Sequence, residues 1–349
     1  MFKKKLTYKV PPHLIRKPPK KRFPWFLFIV VLFTSWFVWE SLDPNLPKKD
    51  SPPTLYSNQC QNDIHATLLA AIREANASIH LVMFGLSDRA ILGALAHKIK
   101  HKIPTTVFYD IGGSSRVYKY LRGGSIYPIK NSGLMHQKIM ILDKEMVFIG
   151  SANMTSASLR MHDNLVIGFV SRPVAEFLEK HEPFSPGYLS TKVGGQKMEI
   201  WLLPDPRGHA LANLRKQIRK ASKSIQVALF TFTHPSLVDE VIQAHKRGVK
   251  VTIVIDKHSG LGASSKAVEA MKKANVPIFL SQGVQLLHHK FIYIDEDTLL
   301  TGSANWTKAA LYKNSDCILA LHGLNDEQKK FMKHLWSQIE TATIRKDYY

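Results

Sequence analysis

"HQKIMILDKEMVFIGSAN" fills residues 136–153, and 152 positions later the chain repeats it as "HHKFIYIDEDTLLTGSAN" at 288–305. Each copy sets a His, a Lys two residues on, an Asp seven on, and Gly-Ser-Ala-Asn from fourteen on. A folding requirement rarely fixes polar residues at such spacing twice, so the pattern points to chemistry. The aliphatic and β-branched run after the His is that of a buried strand. Side chains alternate along a strand, so His136 and Lys138 share a face, as do His288 and Lys290, whereas His289 points the other way and is set aside. A second β run, "MVFI" or "TLL", leads into Gly-Ser-Ala-Asn, read as a turn. There Gly150 and Gly302 admit a tight backbone, and Ser151, Asn153, Ser303 and Asn305 supply neutral hydrogen-bonding groups.

The repetition extends outward. "ANASIHLVMF" (75–84) matches "ASKSIQVALF" (221–230), and "TVFYD" (106–110) matches "TIVID" (252–256), both at an offset of 146. The second copy has therefore gained six residues before the motif. Helical stretches, "HATLLAAIREAN" and "HALANLRKQIRKA", open the copies; a β run, a second helix ("RAILGALAHKIK"; "PSLVDEVIQAHKRG") and another β run follow. Each copy closes with a helix, "RPVAEFLEKH" or "NDEQKKFMKHLWSQIETA". Such alternation predicts two duplicated α/β units, each with a mixed central sheet flanked by helices. The units are expected over 55–183 and 198–345, with a boundary near "PFSPGYLSTKVGGQK" (183–197), rich in Pro, Gly and Ser.

The net charge of +21 is high for 349 residues of otherwise ordinary composition. Nine Lys/Arg and no acid lie in residues 1–22, which leaves +12 on the remainder. A basic body suits an anionic partner: nucleic acid, an acidic membrane surface or a phosphorylated substrate. Cys60 and Cys317 lack metal-site spacing, and either one disulfide or two free thiols is compatible with them. The uncharged run "FPWFLFIVVLFTSWFVW" (23–39), with Trp25, Trp36 and Trp39 near its ends, reads as a single transmembrane helix of about minimal length. It is longer than a signal-peptide core and lacks a small-residue cleavage pattern. The expected order is a basic cytoplasmic tail (1–22), an anchor (23–39) and an extended Pro-rich linker (40–54). The localisation that follows is a single-pass membrane protein with its catalytic body across the membrane from the tail.

Brought together, the two copies supply two His, two Lys, two Ser and two Asn around one centre. Lysines and amides would bind the non-bridging oxygens of a phosphodiester. One imidazole attacks phosphorus and the other protonates the departing alcohol, tasks that suit a group with a reference pKa of about 6.5. The cations come from the protein, so no metal or cofactor is expected.

The spacing resembles the signature of the phospholipase D superfamily, His-x-Lys-(x)4-Asp-(x)6-Gly-Ser-x-Asn, twice over. The resemblance spans about residues 55–345 and implies one active site at a pseudo-twofold interface, working through a phosphohistidine released by water or another alcohol. It implies His136 as nucleophile and His288 as general acid. The catalytic set carried over is His136, Lys138, Asp143, His288, Lys290 and Asp295, although in this family the Asp position is usually structural, near the strand end. Asn153 and Asn305, with Ser151 and Ser303 beside them, would bind the phosphate. Family members commonly carry an acidic residue 28 positions after the motif His, which orients the imidazole. Here Asp316 occupies that position in the second copy and Asn164 in the first. Paired within its own copy, Asp316 would hold His288 protonated as the acid.

The superfamily includes phospholipases, phospholipid synthases such as cardiolipin synthase, and nucleases. The anchor favours a phospholipid phosphodiesterase, as do Leu134, Met135, Leu286 and Leu287 beside the motifs. A basic body and compact units favour a metal-independent endonuclease. A cardiolipin synthase-like enzyme and a non-catalytic binder of anionic lipid rank behind these. With two motifs a monomer is sufficient, and a dimer is not excluded.

Overall fold

In the computed structural model the described residues are 45–343 apart from residue 115, together with residues 25, 29 and 30. The basic tail, the rest of the 23–39 anchor and residues 40–44 lie outside them. Among the described residues no helix is long and apolar enough to cross a membrane.

Fifteen described strands form two sheets. The first contains β1 (Thr54–Tyr56), β2 (Ile79–Met83), β3 (Thr105–Asp110), β4 (Ser125–Ile129), β5 (Lys138–Leu142), β6 (Met146–Gly150) and β7 (Val166–Val170), in the order β1-β7-β6-β5-β2-β3-β4. The second contains β8 (Gly187–Val193), β9 (Gln196–Leu202), β10 (Ser224–Leu229), β11 (Lys250–Ile255), β12 (Ile278–Leu280), β13 (Lys290–Ile294), β14 (Thr298–Gly302) and β15 (Cys317–Leu321), in the order β12-β11-β10-β13-β14-β15-β9-β8. Each sheet is mixed. In one, β2, β3 and β4 are parallel and β5, β6 and β7 antiparallel; β10 to β15 repeat that order. Even the register repeats: Met83 lies opposite Lys138, and Leu229 opposite Lys290.

Period-two alternation explains how the sheets are buried on both faces. Ile139 and Ile141 of β5 share one core with Phe291 and Tyr293 of β13, so this core joins the sheets. Their neighbours Met140 and Leu142 face helices Ile64–Glu74 and Arg89–Lys100. On the other side Ile292 and Ile294 face helices His209–Lys220 and Pro235–Lys246. The result is four layers, helix–sheet–sheet–helix. The last helix, Asp326–Thr343, adds Met332, Leu335 and Trp336 to the central core beside Leu55 of β1. The end of the second copy thus packs against the start of the first.

The stretch 183–197 is not a plain boundary. Most of it is β8 and the turn into β9, a hairpin on the edge of the second sheet. Gly194 and Gly195 both take positive φ, 53° and 78°, the geometry of the two-residue hairpin turn that Gly-Gly favours. The change of sheet falls at the start of this stretch, between helix Arg172–Lys180 and β8, and its Gly-Gly pair is a turn within the second sheet. Residues 45–53 are without helix or strand, but Pro47 and Pro53 are buried against the body rather than free as linker residues. Both cysteines are free thiols, Cys317 buried and Cys60 half-buried.

Asp143 and Asp295 occupy matching turns at the strand ends remote from the histidines, each with φ 53°. Asp143 accepts from the backbone N–H groups of Asn76, Ala77 and Ser78 at 2.6–3.1 Å. Asp295 does the same for Ser222, Lys223 and Ser224. Their assignment to the catalytic set is therefore corrected: each ties the turn after one motif strand to the start of the neighbouring strand in its sheet, β2 or β10. Asp143→Ala is expected to cost about 1–2 kcal/mol of stability by releasing three donors, with kcat unchanged. Denaturant unfolding beside a turnover assay checks both halves of that statement.

Candidate active site

The two copies meet through a pair of matched bridges. Met135 pairs with Ser315, and Leu287 with Asp163. The His136 N–H donates to the Ser315 carbonyl at 2.7 Å, and the His288 N–H to the Asp163 carbonyl at 3.0 Å. Each motif strand thus starts against the segment that precedes the orienting residue of the other copy.

This crossing decides the imidazole partners. His136 Nδ1 lies 2.8 Å from Asp316 Oδ1, and His288 Nδ1 lies 3.0 Å from Asn164 Oδ1. Asp316 therefore serves His136, not the His288 of its own copy, which reverses the electrostatic asymmetry expected from the sequence. A carboxylate only accepts, so His136 carries its proton on Nδ1 and keeps the Nε2 lone pair free. The Asn164 amide is fixed by its NH2, which donates to the Ser158 carbonyl at 2.8 Å, leaving Oδ1 to accept from His288.

Ser151 and Ser303, expected at the phosphate, turn their hydroxyl protons to the groups that hold the histidines. Both are fully buried; Ser151 Oγ donates to Asn164 Oδ1 at 2.8 Å and Ser303 Oγ to Asp316 Oδ1 at 2.7 Å. Each serine also accepts from the backbone, at Leu165 N or Cys317 N. They hold the groups that hold the histidines. Asn153 and Asn305 each keep a buried side-chain oxygen with no protein partner, and only their NH2 groups could donate to a phosphate oxygen.

Lys138 and Lys290 are 3% and 1% exposed, and each donates from Nζ to the carbonyl of the His two residues earlier, at 2.7 and 3.0 Å. Each ammonium also stands over an aromatic ring, Phe84 at 5.3 Å or Phe230 at 5.4 Å. The same rings pack on His136 and His288. These phenylalanines are sites that the sequence reading missed, although they close the repeated segments ending at 84 and 230. Asp110 and Asp256, which close the next repeated pair, were missed too; their carboxylates accept from Met135 N and Leu287 N and so fix the approach to each His.

Burial is the first influence on the two lysines, the two histidines and Asp316. It pushes Lys138 down to about 7, with Asp316 and Asp110 opposing, and drives Lys290 well below its ordinary value, with Lys138 adding to the effect. Burial also lowers His136, assisted by Lys138 and opposed by Asp316. His288 falls well below the usual histidine range through burial and the neighbouring Lys290, Lys138 and His136, with no carboxylate to oppose them. Burial acts to raise Asp316, but His136, Lys138 and Ser303 outweigh it and keep the carboxylate ionised. The two histidines and two lysines therefore feel one another across a single centre. An entering phosphodiester anion would favour the charged form of all four. His289 lies outside this group: its ring is fully buried and bonds Gln59. Among the described residues no group of three or more His, Cys, Asp or Glu side chains is placed to hold a metal ion.

A family model described as "Cardiolipin synthase, PLD-like domain" matches residues 68–182 and again 214–341. The chain belongs to the phospholipase D superfamily. It is similar to the mitochondrial cardiolipin hydrolase of Xenopus laevis, 31% identical over 137 residues that cover 38% of this chain and 64% of that protein. It is also similar to phospholipase D of Rickettsia conorii, 29% identical over 108 residues covering 31% of this chain and 54% of that one. The chain thus spans less than two thirds of the length of either relative. Among solved structures, the phosphatidylserine synthase of Haemophilus influenzae superposes with a TM-score of 0.66 at 13% identity, covering 87% of this chain and 90% of that one, a likeness of fold.

Proposed function

We propose that the chain is a phosphodiesterase of phospholipase D type that removes phospholipid headgroups through a phosphohistidine on His136. The carrying observation is the crossed pair, His136 on Asp316 and His288 on Asn164, with two buried lysines acting on both imidazoles. Nε2 of His136 attacks phosphorus, a P–N bond forms and the P–O bond to the headgroup alcohol breaks. As the bond forms the imidazole ring becomes cationic, and the Asp316 carboxylate stabilises that charge. His288 gives its proton to the leaving oxygen; an imidazolium backed only by Asn164 is the more acidic of the two and so the better donor. In the second step His288 takes a proton from water or an alcohol, which attacks phosphorus and restores His136. Lys138, Lys290, Asn153 and Asn305 bind the non-bridging oxygens.

The likeness to a cardiolipin hydrolase and a phospholipase D supports a phospholipid substrate. The apolar segment 23–39 supports attachment to a membrane by one anchor, with a cytoplasmic tail. The basic charge keeps an endonuclease as the competing reading. The test offers the full chain and its His136→Ala variant anionic phospholipid vesicles and single-stranded DNA, with and without EDTA. Histidine-dependent headgroup release, insensitive to EDTA, is expected. Histidine-dependent DNA cleavage with lipid untouched would replace the proposal by the nuclease reading.

The depressed histidine and lysine values give a pH prediction with a definite sign. His288 must carry a proton to act as the acid, and a lowered pKa means that this proton is lost earlier as pH rises. Lys138 likewise loses its charge through about 7. The descending limb of kcat/KM is thus expected on the acidic side of an ordinary two-histidine enzyme. Asn164→Asp puts a carboxylate on His288 Nδ1 and is expected to move that limb upward by about one pH unit. The variant sets an oxygen against the Ser158 and His162 carbonyls, so it loses stability. The position of the limb, not the peak rate, is the readout.

A further inference from the structure

The strand registers put one set of connections at the same end of both sheets as the histidines. Met83 pairs with both Tyr109 and Lys138, so the segment after β3 leaves at this end; the parallel step to β4 brings residues 130–135 there, and the antiparallel steps bring 153–164. In the second sheet the same argument applies to 204–208, 256–264, 281–289 and 303–316.

These connections are unusual in two independent ways. First, they hold most of the large apolar side chains that the body leaves exposed: Ile111, Leu134, Met161, Leu261, Val284 and Tyr312, with Val284 99% exposed and Leu261 67%. Second, their charge is one-signed. Lys130, Arg160, Arg207, Lys257, Lys308 and Lys313 are exposed, whereas the carboxylates Asp110, Asp163, Asp205, Asp256 and Asp316 are buried or half-buried. Among the described residues of these connections no Asp or Glu is exposed. At the opposite end the turn between β13 and β14 exposes Glu296 and Asp297, so the segregation is not a general consequence of the high positive charge.

We infer that the mouth of the active site is a docking face for an anionic bilayer, with Leu134, Leu261 and Val284 entering the interface and the surrounding Lys and Arg meeting lipid phosphates. Exposed apolar side chains rimmed by basic ones mark surfaces that sit in the headgroup region. A nucleic acid would meet the charges equally well, but of these six exposed side chains only Tyr312 offers its bases a stacking plane. The inference rests on the phospholipid reading and deepens it, because docking at the mouth brings a headgroup to His136 without removing the lipid from its bilayer. It concerns the body and is separate from attachment through residues 23–39.

The test uses the full chain carrying Val284→Trp, reconstituted with vesicles of phosphatidylcholine and phosphatidylglycerol whose acyl chains are brominated. Emission quenching beyond that of the unsubstituted chain is expected with anionic vesicles, weaker with phosphatidylcholine alone and weaker again in high salt. No added quenching would overturn the inference, even if residues 23–39 hold the chain on the vesicle. Quenching by single-stranded DNA and not by brominated lipid would overturn it in favour of a nucleic-acid face. Quenching by anionic vesicles with no phospholipid turnover would sustain the docking face and sink the lipid-hydrolase reading. A Leu261→Asp/Val284→Asp variant is expected to lose about tenfold in turnover on anionic vesicles, with hydrolysis of soluble bis(p-nitrophenyl) phosphate unchanged. Equal turnover on vesicles would count against docking.

Discussion

His136→Ala is expected to lower turnover by about 10⁴-fold or more while leaving the fold intact. The side chain sits at the interface between copies, 8% exposed, and its ring bonds to Asp316. Truncation removes the nucleophile, so no P–N bond forms and no second step exists to be rescued. His288→Ala is expected to be gentler, about 10²–10⁴-fold, because it removes proton transfer rather than the covalent step. A substrate with an acidic leaving group, such as a p-nitrophenyl diester, should recover much of the His288→Ala loss in the first step and none of the His136→Ala loss. Comparable recovery in both variants would mean that the roles of the two histidines are not those assigned.

Asp316→Asn is expected to cost about 10³–10⁴-fold in kcat, a larger effect than its hydrogen-bond geometry suggests. The amide oxygen can still accept from His136 Nδ1 and from Ser303 Oγ, so the imidazole stays oriented. What disappears is the buried negative charge that offsets two lysines and the ring cation formed on phosphorylation. Asn already serves at residue 164, beside His288, and that contrast sharpens the prediction. If His136 is the nucleophile, the carboxylate is required at 316 and dispensable at 164. Circular dichroism and thermal unfolding should show a folded variant, since the Cys317 N–H to Ser303 Oγ bond does not depend on the charge.

Much of this site was legible in the sequence because duplication acts as its own control. His136, Lys138, His288 and Lys290 matched twice at fixed spacing, and strand alternation correctly separated His289 from them. The helices were equally readable, since "RAILGALAHKIK" and "PSLVDEVIQAHKRG" coincide with helices Arg89–Lys100 and Pro235–Lys246 within two residues. What escaped was whatever depends on contacts between the copies. Spacing put Asp316 in the second copy but could not say that the bridges Met135–Ser315 and Leu287–Asp163 would turn it toward His136. Ser151 and Ser303 misled for a related reason, because a hydroxyl in a motif gives no sign of whether it faces substrate or a neighbouring carboxamide. Phe84 and Phe230 were visible as the ends of matched segments, yet apolar residues ending a strand read as core until a lysine is found above the ring. The Gly194–Gly195 turn shows that Pro/Gly content alone does not separate a hairpin from a boundary.

The covalent intermediate offers the most direct test of the central claim. The full chain would be mixed with phosphatidylglycerol, quenched in base to preserve phosphohistidine, digested and mapped by mass spectrometry. A phosphatidyl adduct on the peptide bearing His136, absent from the His136→Ala variant, is the predicted result. An adduct on His288 instead, or lipid turnover with no adduct on either histidine, would contradict the account.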